Sequence, residues 1–159
     1  MALDYSIQYS ILCNRIDELY KVVEFKQKSS LSEEFSQDFQ SYLFLLAALD
    51  GDISAQEVNI INFILGEPWT GLEIRSYINV NNIYSDEFMT SVPKSFKKIA
   101  ELEKRIGNTQ LTYFIVKFYY DISSISIFTG NDKQDDFSED YRSLFIEYIR
   151  TLEEVKWNL

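Results

Sequence analysis

Three carboxylates sit close together in residues 46–57, LAALDGDISAQE: Asp50, Asp52 and Glu57. Carboxylate oxygens without His or Cys suit Ca2+ or Mg2+ better than zinc, so a calcium loop is the chemistry to test. The EF-hand loop is the first test. Gly51 takes the place of its sixth residue, Ile53 the eighth and Glu57 the twelfth. The first and third places fall on Leu46 and Ala48, which carry no side-chain oxygen. Half of that ligand set is missing. The same residues also suit a plain turn. Asp50 and Asp52 can accept from nearby backbone amides, Gly51 tolerates a positive φ, and Ser54 with Glu57 has capping-box spacing.

Little else in the chain could do chemistry. There is no His and one Cys, Cys13. That excludes Ser-His-Asp and Cys-His catalysis, an intrachain disulfide and a Cys zinc site. Cys13 has no basic neighbour and reads as an inert thiol. Asp135, Asp136, Glu139 and Asp140 could serve as acid and base, but carboxylates at a helix start are also simply favoured by the dipole. No catalytic residue is assigned, and a non-enzymatic protein is expected.

Charge points to a partner instead. The chain of 159 residues has 25 Asp and Glu against 15 Lys and Arg, a net charge of -10. Such a chain does not bind a phosphate backbone through bulk electrostatics. Residues 29–74 contain no Lys or Arg, while Glu33, Glu34, Asp38, Glu67 and Glu73 lie there. With Trp69 as an aromatic anchor, these are the candidate partner-binding residues, an acidic surface for a basic protein. A solvated face is the plainer alternative. The basic concentration is Lys94, Lys97, Lys98, Lys104 and Arg105. It either answers the acidic segment within the fold or meets a partner.

The elements that would position these residues are helical. Only 5 Gly and 2 Pro leave few tight turns for a sandwich or barrel. The expected fold is all-α: a single-domain bundle of about six to eight helices. A first helix over 5–26 carries Ile7, Ile11, Leu12, Ile16, Leu19 and Val23 at helical spacing. Ser30 caps a second helix to Ala48, whose end is apolar all round. A third helix stops at Gly66, before Pro68. Thr70 opens a short fourth, and 79–85 reads as loop. Pro93 begins a helix that ends at Gly107. Residues 108–129 are apolar on most sides and predict the central helix. An acidic loop over 130–137 follows, and Ser138 caps the last helix. No apolar run approaches the ~18 residues of a membrane span. The N-terminal MALDYSIQYS lacks a basic signal region, so a cytoplasmic location is expected.

The phrase from Ala47 to Ser54, with Glu57, resembles the turn of the TerB-like (tellurite-resistance) helical family, and the helix order extends the resemblance over about 35–155. The first helix would pack on that core. The resemblance implies an all-α bundle, roles in stress response, membrane-associated complexes or conflict systems, and an acidic cluster proposed to bind metal in some members, which carries over here to Asp50, Asp52 and Glu57 as candidate metal ligands; it does not imply catalysis. Phe137 and Ser138 echo Ile53 and Ser54 at a second turn, but Tyr141 stands where a match to Glu57 would fall. Three functions are consistent with this sequence. The first is an immunity or accessory protein binding a toxin or secretion-system substrate. The second is a divalent-metal-binding stress protein. The third is an acidic nucleic-acid mimic that blocks a nuclease or DNA-binding protein.

Overall fold

The computed structural model of the chain describes residues 2–22, 30–49, 51–83, 85–129 and 132–154. Among them are eight α-helical segments, one 3-10 turn and no strand. In order these are α1 Ala2–Val22, α2 Leu31–Ala48, α3 Ala55–Leu65, α4 Gly71–Val80, α5 Asp86–Met89, α6 Lys94–Arg105, α7 Gln110–Ser123, the 3-10 turn Ser126–Phe128, and α8 Asp132–Glu154. No helix among the described residues is long and apolar enough to cross a membrane.

The central helix is α2, not the 108–129 segment. Residues 41–48 of α2 are buried on every side, and α2 packs against α1, α3, α4 and α6. The expected long helix ends at Ser123. There the hydroxyls of Ser123 and Ser124 both donate to the Tyr120 carbonyl, at 2.7 and 3.0 Å, and the chain turns into the 3-10 segment. Both segments are apolar all round, and periodicity alone does not say which one its neighbours surround.

Aromatic rings fill the core. Phe39 and Tyr42 of α2 meet Phe118 and Tyr119 of α7, with ring centroids 4.9 and 4.8 Å apart. Tyr141 of α8 stacks on Tyr42 at 5.1 Å, and Phe145 lies 5.1 Å from Tyr119. Offset and edge-on pairs of this kind add to the burial of their area. A second group joins Phe44, Trp69 and Tyr77, each edge-on to the others at 4.9–5.8 Å.

Helix starts follow the sequence closely in the first half. Ser30 accepts from the Glu33 amide, and Ser54 with Glu57 and Thr70 with Glu73 form full capping boxes. Gly66 closes α3 at φ 71. Two boundaries shift: α4 runs on to Val80, and Pro93 caps α6 from just outside it. The larger correction is at α8. Residues 132–137 are helical rather than loop, because Gln134 is buried and its Nε2 donates to the Leu46 carbonyl at 2.8 Å. Ser138 therefore lies inside α8 and caps nothing, and no second turn precedes it among the described residues. Val23, expected on the first helix, lies outside the described residues.

Candidate functional site

The 46–57 turn is built by its own backbone and by a neighbouring arginine. Gly51 sits at φ 102, and its amide donates to the Ala48 carbonyl at 3.1 Å. Arg75 of α4 donates to the Gly51 carbonyl, and its guanidinium lies 3.8 Å from the exposed Asp52 carboxylate. Glu57 is turned into the start of α3, buried, with Oε1 accepting from the Ser54 amide at 2.9 Å. Asp50 lies outside the described residues. Among the described residues no three His, Cys, Asp or Glu groups come together as a metal cage. What the described part of the turn shows is a capped corner, with a cation of the protein's own beside Asp52.

The six candidate partner residues divide among three places. Glu33, Glu67 and Trp69 line one cleft of about 430 Å³ together with Tyr9 and Cys13, between α1, α2 and the approach to α4. Trp69 is held there by its Nε1, which donates to Glu67 at 2.7 Å, and by two bonds to Asn62 at 2.8 and 2.9 Å. Burial pushes the Tyr9 phenol up to about 12 and raises the Cys13 thiol, so that thiol is a poor nucleophile. Glu34 and Asp38 face α6 instead. Lys98 Nζ donates to both Glu34 oxygens, at 3.0 and 2.9 Å. Asp38 accepts from the Ser95 amide at 3.1 Å and from its hydroxyl at 2.5 Å. Glu73 is occupied by the Thr70 capping box. The basic stripe thus answers the acidic segment inside the fold, at Lys98.

A different surface has the composition of an interface. α7 packs between α1 and α8 and turns Tyr113, Phe114 and Tyr120 outward, 48, 41 and 37% exposed. On the two helices that contact α7 here, Ile7 and Ile11 of α1 and Ile146 of α8 are exposed as well. The stripe expected to bury the first helix is therefore split: Leu12, Ile16 and Leu19 go inward, Ile7 and Ile11 outward. The seams carry cations. Arg15 lies over the Phe114 ring at 5.3 Å, and Arg142 over Tyr120 at 4.4 Å. Among the described residues neither guanidinium pairs with a carboxylate, whereas Lys117 bonds Asp121 at 2.5 Å. Tyr113 donates to Glu153 at 3.0 Å. The sequence signal for this face was the all-round apolarity of 110–123, which reads equally well as a sign of burial. Set against known protein families, curated proteins and solved structures, the chain finds no match.

Proposed function

We propose that the chain is a non-enzymatic interaction protein, of the immunity or accessory kind, that docks a bacterial toxin or secretion-system substrate on its α1–α7–α8 face. The observation that carries this reading is the exposure of Ile7, Ile11, Tyr113, Phe114, Tyr120 and Ile146 on three neighbouring helices. Exposed apolar side chains gathered on neighbouring helices are the mark of an interaction surface. Tyr and Arg are also the residues that dominate interface hot spots. Arg15 and Arg142 lie over rings at 5.3 and 4.4 Å and pair with no carboxylate among the described residues, which suits them to a partner's carboxylates. The occupant is a different chain with an acidic rim around an apolar centre. A second copy is disfavoured, because two chains of net charge -10 repel. The TerB-like turn phrase and the lack of a catalytic kit support the same class.

A photo-crosslinking residue placed at 114 or 120 tests it. Adducts with the product of a neighbouring gene are expected there, and none from positions 72 or 80, which are more exposed but lie on α4. Phe114→Glu is expected to weaken that complex by about thirtyfold or more, the loss of one hot-spot side chain. A chain that yields no specific adduct from this face, or whose complex ignores Phe114→Glu, rules the reading out.

A further inference from the structure

A cleft of about 370 Å³ opens between α2, the 81–93 segment, the start of α6 and α8. Its walls combine apolar residues, Phe88, Val92 and Pro93, with Asp38, Lys94 and Tyr141. The volume lies at the small end of ligand pockets.

Two of the polar residues on this lining, Asp38 and Tyr141, have unused hydrogen-bonding capacity. Both hydrogen bonds from Ser95 go to Asp38 Oδ2; Oδ1 receives neither. Burial lifts the Asp38 carboxyl above the usual range, and the Ser95 bonds together with Lys94 only partly offset that. Tyr141 is 2% exposed, yet it lines the cleft. Its ring is engaged by Tyr42, Phe137 and Phe145, whereas its hydroxyl takes part in no hydrogen bond among the described residues. Both residues line the cleft, so a ligand inside it meets a carboxylate oxygen and a hydroxyl that hold no hydrogen bond among the described residues.

The rim carries the opposite sign. Lys94 and Lys97 line the cleft at the start of α6, and Glu87 lines it too. With Asp38, the formal charges of the lining cancel, although the whole chain is at -10. A phosphate-bearing ligand would meet the Asp38 carboxylate, and a simple amine would meet the two lysines. A molecule with an ammonium and a carboxylate satisfies both.

We infer that this cleft binds a small zwitterion, a free amino acid with an apolar side chain, through the Asp38 Oδ1 and Tyr141 hydroxyl on its lining and Lys94 at its rim. The ammonium donates to Asp38 Oδ1 and to the Tyr141 oxygen. The carboxylate faces Lys94 and Lys97, and the side chain lies against Phe88 and Val92. No bond is made or broken, so the site is a binding site and not a catalytic one.

Calorimetry on the full chain with three probes tests this: L-leucine, 3-methylbutylamine and 4-methylpentanoate. Leucine is expected to bind, and each single-charge analogue to bind at least about tenfold more weakly, one lost ion contact or more. Tyr141→Phe and Lys94→Gln are each expected to weaken leucine several-fold while leaving the helical signal intact. Asp38→Asn is expected to abolish binding; because it also touches the α6 cap, it is read only alongside the other two. No heat with leucine at millimolar concentration overturns the inference. So does equal binding of the single-charge analogues, or a leucine affinity unmoved by Tyr141→Phe and Lys94→Gln.

Discussion

Asp38 and Glu103 do the same job one helix apart. The N-cap residues of α6 and α7, Pro93 and Thr109, make no side-chain cap bond, and at α7 Asn108 Oδ1 takes only the Gln110 amide, at 2.9 Å. A carboxylate from the preceding packed helix substitutes. Asp38 of α2 takes the amide and hydroxyl of Ser95, and Glu103 of α6 takes the amides of Leu111 and Thr112 and the Thr112 hydroxyl, at 2.5–3.0 Å. Glu103 is 3% exposed, so these bonds operate in a low dielectric where charge-assisted pairs are strong. Glu103→Gln keeps the shape but presents an NH2 toward donors. It is expected to lower stability by about 2 kcal/mol, the scale of hydrogen bonds to a charged group, read as a fall in the urea midpoint. Tyr119 gives the opposite case. Its hydroxyl is buried without a hydrogen-bond partner among the described residues, so Tyr119→Phe is expected to leave stability unchanged or raise it by up to about 1 kcal/mol. A clear loss there would mean that the hydroxyl has a partner, such as a bound water.

At the scale of the element, local rules and tertiary anchors part company. The capping boxes at Ser54 and Thr70 were legible in the sequence because all their partners lie within three residues. The same holds for the left-handed glycine at 66. Ser54→Ala is expected to cost about 1 kcal/mol in thermal or denaturant unfolding, for it removes one half of the box that orients Glu57. The start of α8 was not legible. Its acidic, Gly-led sequence satisfies every loop criterion, and what makes it helical is Gln134 reaching Leu46, 88 positions away. Gln134→Ala therefore is expected to fray the first turn of α8, seen as faster amide exchange over 132–138, while residues 141–153 stay protected. Of the candidate site, Trp69 with Glu33 and Glu67 came together as one cleft, whereas Glu34 and Asp38 turned to α6. Helical spacing fixes the face a residue shares, but not which neighbour lies against it. The α1–α7–α8 surface escaped sequence reading for that reason. Outward Phe114 and inward Phe118 are one turn apart and of one type, and only the packing of α1 and α8 on either side separates them.

The whole molecule has one property that none of its parts shows alone, a cluster of phenols kept from ionising. Burial holds Tyr9 up to about 12 and pushes Tyr42, Tyr119, Tyr141 and Tyr148 well above the ordinary tyrosine range. An unfolded tyrosine loses its proton near 10. Below about pH 10 the phenols are protonated in both states and contribute no slope to stability. Above it the unfolded chain releases protons that the folded chain keeps, so stability falls as pH rises toward and past 12. Neutralised lysines on a chain already at -10 push in the same direction. The melting temperature is therefore expected to be nearly flat from pH 7 to 9 and to drop steeply beyond about 10. In an alkaline titration the helical signal is expected to be lost beyond about pH 10. The buried group should ionise only together with that loss. Tyr9→Phe removes one of the protons that couple to unfolding, so its stability should fall less steeply through that range. A single phenolate transition near the free value, with the helices intact, would show that water reaches these rings, and it would weaken the case for a dry aromatic core linking α2, α7 and α8.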